Sequence, residues 1–556
     1  MIRHSNRYPC QNISNNTTYH TTMTFYKLNS LVLFILFSFS LFLHESYSIE
    51  EQPSDDINWW CSTTPHPEPC KYFMADVAPE RYKPKCKEEF RTMTTEVALE
   101  QALLVQSHAK YMGQHCRGKR KKLVWMDCDK LIDDTILQLN RTLHGIQSNS
   151  TSCSDFDAQT WLSASLTNIE TCLSGSNQLN VSNVLHPTLS TNVSQLISNC
   201  LAINGELVDS QNSTQVDGFP SWVTARERKL LQSKTRSLAS KAIYVVAQDG
   251  SGNFRSVQAA INAVSKKVTN QRTIIYIKKG VYRENVAIGP GISKIMLVGA
   301  GLRYTIITGS RSAAGGFTTY STATVGVDGN GFIARGITFR NTAGPKNGQA
   351  VALRSASDLS VFYACGFEGY QDTIFVQSQR QFFKTCHIYG TIDFIFGNAA
   401  VVFQNCVIFV RRPLVGQVNV ITAQGRGDPF QNTGISIHNS RITASPSLKP
   451  VVRAFQTYLG RPWQEYSRTV IIRSYIDGLI NPSGWLPWLN SDFAFKTLYY
   501  GEHGNWGPGA STRNRVKWPG YHVITNTNEA SKFTVANLIG GRSWLPSTGV
   551  PFTAGL

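Results

Sequence analysis

The stretch FYACGFEGYQDTIFVQSQRQFFKTCHIYGTIDFIFGNAAVVFQNCVI, residues 362–408, repeats itself. FYACGF from Phe362, FKTCHI from Phe383 and FQNCVI from Phe403 share one pattern: an apolar residue, two others, a small or polar residue, one other, then an apolar residue. Working outward, the pattern recurs as FIARGI from Phe332, IHNSRI from Ile437 and IRSYI after Ile471. Its fourth positions are Arg335, Cys365, Cys386, Cys406, Ser440 and Ser474, at intervals of 30, 21, 20, 34 and 34 residues. β-rich units of this size, separated by Gly and Asn, predict an all-β solenoid: a parallel β-helix with loops inserted in some coils. A sandwich would show shorter, evenly spaced strands without this self-alignment.

The period carries a geometric prediction. Asp372 follows Cys365 by seven residues, and Asp393 follows Cys386 by seven. Coils stacked in phase hold the two carboxylates at one position on neighbouring coils, about 4.8 Å apart at the backbone. Two carboxylates that close cannot both ionise cheaply, so the pair divides into an acid and a base or nucleophile, the equipment of acyl transfer or hydrolysis. Asp393, between Ile392 and Phe394, needs a fixed cation to stay charged. A single Asp in such a run more simply caps a turn; it is the in-phase pair that argues for chemistry. The same stacking makes Cys365 and Cys386 neighbours and predicts a disulfide between them, with Cys406 as the expected unpaired thiol.

The rest of the chain has another character. Residues 1–231 carry 20 Lys and Arg against 23 Asp and Glu, whereas residues 232–556 carry 34 against 13, a net +21. Lys27, an uncharged apolar run over residues 31–43, then Ser46 and Ser48 read as a secretory signal, too short to span a bilayer, with Met23 as an alternative start. The 12 cysteines fit an oxidising compartment, and no CxxC or HExxH suggests a metal. After the signal, sequons stand at Asn140, Asn149, Asn180, Asn192 and Asn212, all in the N-terminal half. Between residues 95 and 205, apolar residues at three- and four-residue spacing predict a helical bundle, with expected bridges Cys61–Cys70 and Cys128–Cys172. Arg226, Arg228 and Lys229 form a basic site suited to processing proteases. The expected order is an N-terminal extension and signal (1–48), an all-α helical-bundle domain (49–215), a basic processing linker (216–240) and the β-helix (241–556).

Five motifs in order, GVYREN (280–285), GQAVALR (348–354), GYQDTIF (369–375), YGTIDFIFGNA (389–399) and YLGRPW (458–463), resemble plant pectin methylesterases. DGSGNFRSVQAAI (249–261) and GPGA (507–510) extend the likeness over nearly all of residues 240–550. The resemblance implies a right-handed parallel β-helix that hydrolyses galacturonate methyl esters in homogalacturonan, giving methanol and de-esterified pectin without a cofactor or metal. It implies Asp393 as nucleophile and Asp372 as acid and then base. Gln349 and Gln371 are implied as oxyanion donors, a role worth roughly 3 to 4 kcal/mol each. Arg461 is implied as the cation beside Asp393. Trp463 and Thr319 are implied as sugar contacts, with Thr318 an alternative to Thr319. CSTTPHPEPC (61–70) and TWLSASLTNIETCL (160–173) resemble the pectin methylesterase inhibitor-like region preceding longer family members, which implies intramolecular inhibition until removal.

Such a protein is secreted to the plant cell wall. Its basic half suits a polyanionic pectic chain, and secretion without a recognition motif argues against nucleic acid. Two alternatives remain on sequence alone: another pectin-degrading β-helix enzyme that shortens the chain, and a catalytically silent wall-binding or inhibitory protein.

Overall fold

The computed structural model describes residues 56–78, 80–147, 153–181, 184–185, 187–211, 235–265 and 271–556. The signal segment, the sequons Asn149 and Asn212, and the basic site at Arg226, Arg228 and Lys229 lie outside the described residues. Compactness divides the chain at Thr94, into residues 1–94 and 95–556. In the first unit two short helices, Ile57–Ser62 and Pro67–Lys71, are joined by the Cys61–Cys70 disulfide.

Four long helices follow: α1 (Lys87–Gln114), α2 (Lys119–Gln147), α3 (Asp155–Gln178) and α4 (Pro187–Gln211). None of the described helices is long and apolar enough to cross a membrane. α3 starts at a reciprocal cap in which Ser154 Oγ accepts from Asp157 N while the Asp157 carboxylate accepts from Ser154 N. The Cys128–Cys172 disulfide fastens it to α2. From Ala158 to Ile169 every residue is buried, polar ones included, because the helix packs both in the bundle and on the β-helix. Asn140 and Asn192 are half-buried on α2 and α4, and Asn180 is exposed just past α3.

The strands form three sheets of eleven, eight and seven, and every pairing is parallel. Three successive coils carry the site, each giving one strand to each sheet. These are β1 (Ser360–Tyr363), β2 (Gly366–Glu368) and β3 (Ile374–Val376); β4 (Arg380–Lys384), β5 (His387–Gly390) and β6 (Ile395–Gly397); and β7 (Ala400–Gln404), β8 (Val407–Val410) and β9 (Asn419–Gln424). Phe362, Phe383 and Phe403 occupy one interior rung position and stack ring on ring at 4.5 Å.

The register corrects one part of the expected repeat. Phe362 pairs with Ala334, not with Phe332, so the FIARGI unit is displaced by two residues. A two-residue slip leaves every side chain on its own face, which is why apolar alternation could not detect it. Gly336 (φ 65°) instead aligns with the left-handed corner that Ala364, Thr385, Asn405, Asn439 and Arg473 occupy in the following coils.

The residue after each corner explains the small or polar fourth position. Cys406 Sγ accepts from Cys386 N (3.5 Å), Ser440 Oγ from Cys406 N (3.1 Å), Ser474 Oγ from Ser440 N (3.0 Å) and Asn505 Oδ1 from Ser474 N (2.9 Å). This ladder also overturns the expected Cys365–Cys386 disulfide: Cys365, Cys386 and Cys406 are buried and unbridged. In-register neighbours project their Cβ atoms in parallel, keeping the sulfurs about a rung apart rather than the ~2 Å a bridge needs. The Cys386 thiol donates instead to Phe362 O (3.3 Å).

Helix Val257–Ser265 closes one end of the solenoid, its Val257, Ala260, Ile261 and Val264 joining the interior core. Towards the other end stand the stacked pairs Trp485–Tyr500 and Phe495–Trp518, each at 4.2 Å. Short helices at Val535–Leu538 and Gly541–Thr548 cover the outer face of the eleven-stranded sheet through Val535, Leu538 and Trp544 on Val361, Phe382 and Val402.

Candidate active site

The candidate site residues gather on the outer side of the seven-stranded sheet. Asp372 lies two residues before β3 and Asp393 two before β6, and the pairing Ile374↔Ile395 makes them in-phase neighbours. Asp372 N donates to Ile392 O at 3.0 Å, bringing the two turns together. Both aspartates have left-handed backbones, φ 60° and 48°, a conformation costing about 1–3 kcal/mol per residue in a non-glycine.

Only one of the two has a cation. Arg461 Nε donates to Asp393 Oδ1 at 2.9 Å, and Nη2 donates to Oδ2. Arg461 follows strand Thr457–Gly460, and its N donates to Thr422 O on β9 at 3.0 Å, so the guanidinium reaches Asp393 from two coils further along the solenoid. It also lies over the Trp488 ring, 4.6 Å from the centroid. Burial pushes the Asp393 carboxyl up, and Arg461 opposes the rise by hydrogen bond and charge. Burial pushes Asp372 well above the ordinary carboxylate range, Asp393 adds to the rise, and Arg461 opposes it only at a distance. Of the two, Asp372 is the carboxyl pushed further towards its protonated form, and Asp393 is the one whose charge is met by a cation.

A cavity of about 470 Å³ opens on these groups. Asp372, Asp393, Gln349, Gln371, Arg461, Thr319 and Trp463 all line it. The backbones of Gln349 and Gln371 are fixed by neighbouring turns, through Ala313 N to Gln349 O and Ala350 N to Gln371 O. Thr319 reaches the cavity, whereas Thr318 is buried and donates to Asp127 Oδ2 of α2. Trp463 sits edge-on to Phe396 and Phe375, which stack on each other at 4.5 Å. A Cβ at Gly425 would come 2.6 Å from Trp463 Cε3, so only glycine lets the indole lie there.

Sequence reasoning missed part of the lining. Phe375 and Phe396 each stand three residues after an aspartate, so the in-phase rule that paired Asp372 with Asp393 also pairs them. Trp488 comes from an irregular segment with left-handed Leu489 and Asn490 and carries no such signal. Another wall is α3, through Thr171, Ser174, Gly175, Asn177 and Gln178. Gln178 Oε1 accepts from Thr319 N at 2.8 Å. Farther along, Asn168 Oδ1 accepts from Gln377 Nε2 (3.1 Å), Thr167 Oγ1 from Asn398 Nδ2 (2.8 Å), and Asp157 Oδ1 from Arg380 Nη1 (2.6 Å).

A family model described as Pectinesterase matches residues 243–542, and one described as plant invertase/pectin methylesterase inhibitor matches residues 55–203. The chain is 55% identical over 515 residues to probable pectinesterase/pectinesterase inhibitor 33 of Arabidopsis thaliana, covering 90% of this chain and 86% of that one. It is 52% identical over 525 residues to pectinesterase 2 of Citrus sinensis, covering 94% and 98%. Among solved structures, pectin methylesterase from carrot is similar with a TM-score of 0.56 and 54% identity, covering 57% of this chain and 98% of that one.

Proposed function

The chain belongs to the pectinesterase family, and from that premise we propose that Asp393 and Asp372 divide the hydrolysis of pectin methyl esters between them. The enzyme is a carboxylic ester hydrolase that de-esterifies pectin. An Asp393 oxygen attacks the carbonyl carbon of a galacturonate methyl ester, and the side-chain amides of Gln349 and Gln371 donate to the resulting oxyanion. Collapse breaks the bond to methoxide, Asp372 supplies its proton, and methanol leaves an anhydride between Asp393 and the galacturonyl carbon. Water then attacks that carbon while Asp372, now a carboxylate, takes its proton. The galacturonic acid departs and Asp393 is restored as a carboxylate.

The observation that carries this assignment is the asymmetry of the pair: two stacked carboxylates, of which Asp393 alone holds the arginine. Asp393→Asn should lower methanol release from methyl-esterified homogalacturonan by at least about 10³-fold, with binding of the oligosaccharide retained. Turnover within tenfold of the unaltered enzyme would transfer the nucleophile's role elsewhere.

We also propose that the helical region inhibits in cis. α3 forms one wall of the cavity and hydrogen-bonds to Thr319, so a polymer lying across Trp463 would meet Ser174 and Gln178. Cleavage at the basic site of residues 226–229, with the helices then removed, should raise pectin turnover; equal rates before and after would remove this reading. Secretion to the cell wall and glycosylation at Asn140, Asn180 and Asn192 complete the proposal, supported by the signal-like segment and the sequons.

A further inference from the structure

The eight-stranded sheet differs from the other two. Short helices cover the outer face of the eleven-stranded sheet, and α3 lies on that of the seven-stranded sheet. The outer face of the eight-stranded sheet bears aromatics in register that belong to none of the hydrophobic cores. Tyr389 and Phe409, on β5 and β8, stack at 4.5 Å with their planes 9° apart, and His387 meets Phe409 edge-on at 5.8 Å. Two coils on, Tyr475 packs against Trp506, whose surface is 60% exposed.

Arginines surround these rings. Arg441, exposed and in register with Val407 beside Phe409, lies 4.2 Å from the Tyr475 centroid. Arg303 is exposed and near enough to bear on the charge of both His387 and Tyr389. Arg411 lies over Tyr370 at 3.9 Å and acts on Tyr389 as well. Of the acids on this face, Glu368 is paired with Arg340 at 2.6 Å, whereas Asp477 accepts from Thr443 Oγ1 at 2.7 Å and keeps its charge. A lone cross-strand aromatic pair would serve the sheet's own stability. Rings left partly in solvent beside Arg303 and Arg441, for which no carboxylate partner stands among the described residues, suit a ligand with flat apolar faces and a regular row of carboxylates.

We propose that this face is a second binding surface, distinct from the catalytic cavity, for a de-esterified galacturonan segment, the anionic product of the reaction. Sugar rings lie on Tyr389, Phe409 and Trp506, and the carboxylates pair with Arg303 and Arg441. A coil every ~4.8 Å lets successive rungs meet successive units of an extended chain. Charge selects the occupant: a fully methyl-esterified chain lacks the carboxylates, and the field that draws a polyanion to this face is screened by salt. Arg411 links the surface to the site, since its Nη1 donates to Gly369 O and its Nη2 to Tyr370 Oη, immediately before Gln371 and Asp372.

The test compares the full chain with its Arg303→Glu/Arg441→Glu and Phe409→Ser variants. Binding of a de-esterified oligogalacturonate and of its fully methyl-esterified counterpart is measured at low and high ionic strength, and methanol release from a short methyl-esterified oligomer in parallel. The arginine variant should lose about tenfold in affinity for the acidic oligomer at low salt, ~1.4 kcal/mol, with that difference shrinking at high salt. Phe409→Ser should weaken the acidic oligomer at both salt concentrations. Binding of the methylated oligomer and methanol release should be unchanged in both. Unaltered affinity for the acidic oligomer in both variants, or an equal loss for both oligomers, overturns the proposal. Absence of methanol release from every full chain is what inhibition in cis predicts; its absence also after cleavage at residues 226–229 and removal of the helices would count against the catalytic assignment and not against this surface.

Discussion

At the scale of single residues, Arg461 sets the form in which Asp393 rests. On the mechanism proposed above, turnover needs Asp393 ionised and Asp372 protonated, so rate should fall below the pKa of the first and above that of the second. Arg461 draws Asp393 down against its burial. Arg461→Gln should therefore move the acidic limb of the pH–rate profile to higher pH, as well as lowering the maximum. Asp372 gives a separate stability prediction. Its folded-state pKa is raised by burial and by Asp393, so its contribution is most favourable below the unfolded carboxylate value and is lost as pH rises. Asp372→Asn should abolish turnover yet raise the melting temperature at neutral pH, with little effect in strong acid. The aspartates were legible in the sequence because two residues at one offset from a repeated landmark must meet when coils stack. Trp488 was not legible, since an irregular loop reaches the cavity by tertiary contact alone.

At the scale of elements, the coil corner is the unit that wrote the repeat into the sequence. Each corner leaves a backbone N–H facing the coil interior, and the next coil's Cys or Ser accepts from it. Ser440→Ala removes the acceptor for Cys406 N and the hydroxyl donated to Phe403 O. It should cost about 1–3 kcal/mol in denaturant unfolding, whereas Cys406→Ser, which keeps an acceptor, should cost less than Cys406→Ala. In denaturant without reductant, Cys365, Cys386 and Cys406 should all react with a thiol reagent. The spacing made Cys365 and Cys386 neighbours correctly but was silent on the direction of their Cβ atoms, and direction decides whether neighbours can bond. The two-residue slip at Phe332 has a similar origin: alternation reports which face a side chain takes and nothing finer.

At the scale of the whole molecule, the helical bundle was legible from its periodicity, but its seat on the β-helix was not, because contacts such as Gln377–Asn168 and Ser198–Asp428 join polar residues with no pattern. That interface should respond to pH. Glu170 of α3 stands against Gly427, where burial, with Asp428 adding, pushes its carboxyl up from an ordinary 4.5 to about 8. A group raised in the docked state favours docking most below its free value and loses that contribution as pH climbs towards 8. After linker cleavage, the helices should be retained on the β-helix in gel filtration at pH 5 and released more readily at pH 8, with Glu170→Gln flattening the difference. The solenoid itself has a further consequence. Parallel coils add one upon another without a natural stopping point, and each terminal coil offers open strand edges to which a neighbouring chain could attach. Helix Val257–Ser265 is a stopper at one such end. Loosening it, for instance by Ile261→Asp, should turn a discrete particle into one that grows end to end into fibrils, seen first as light scattering before any loss of β-sheet signal.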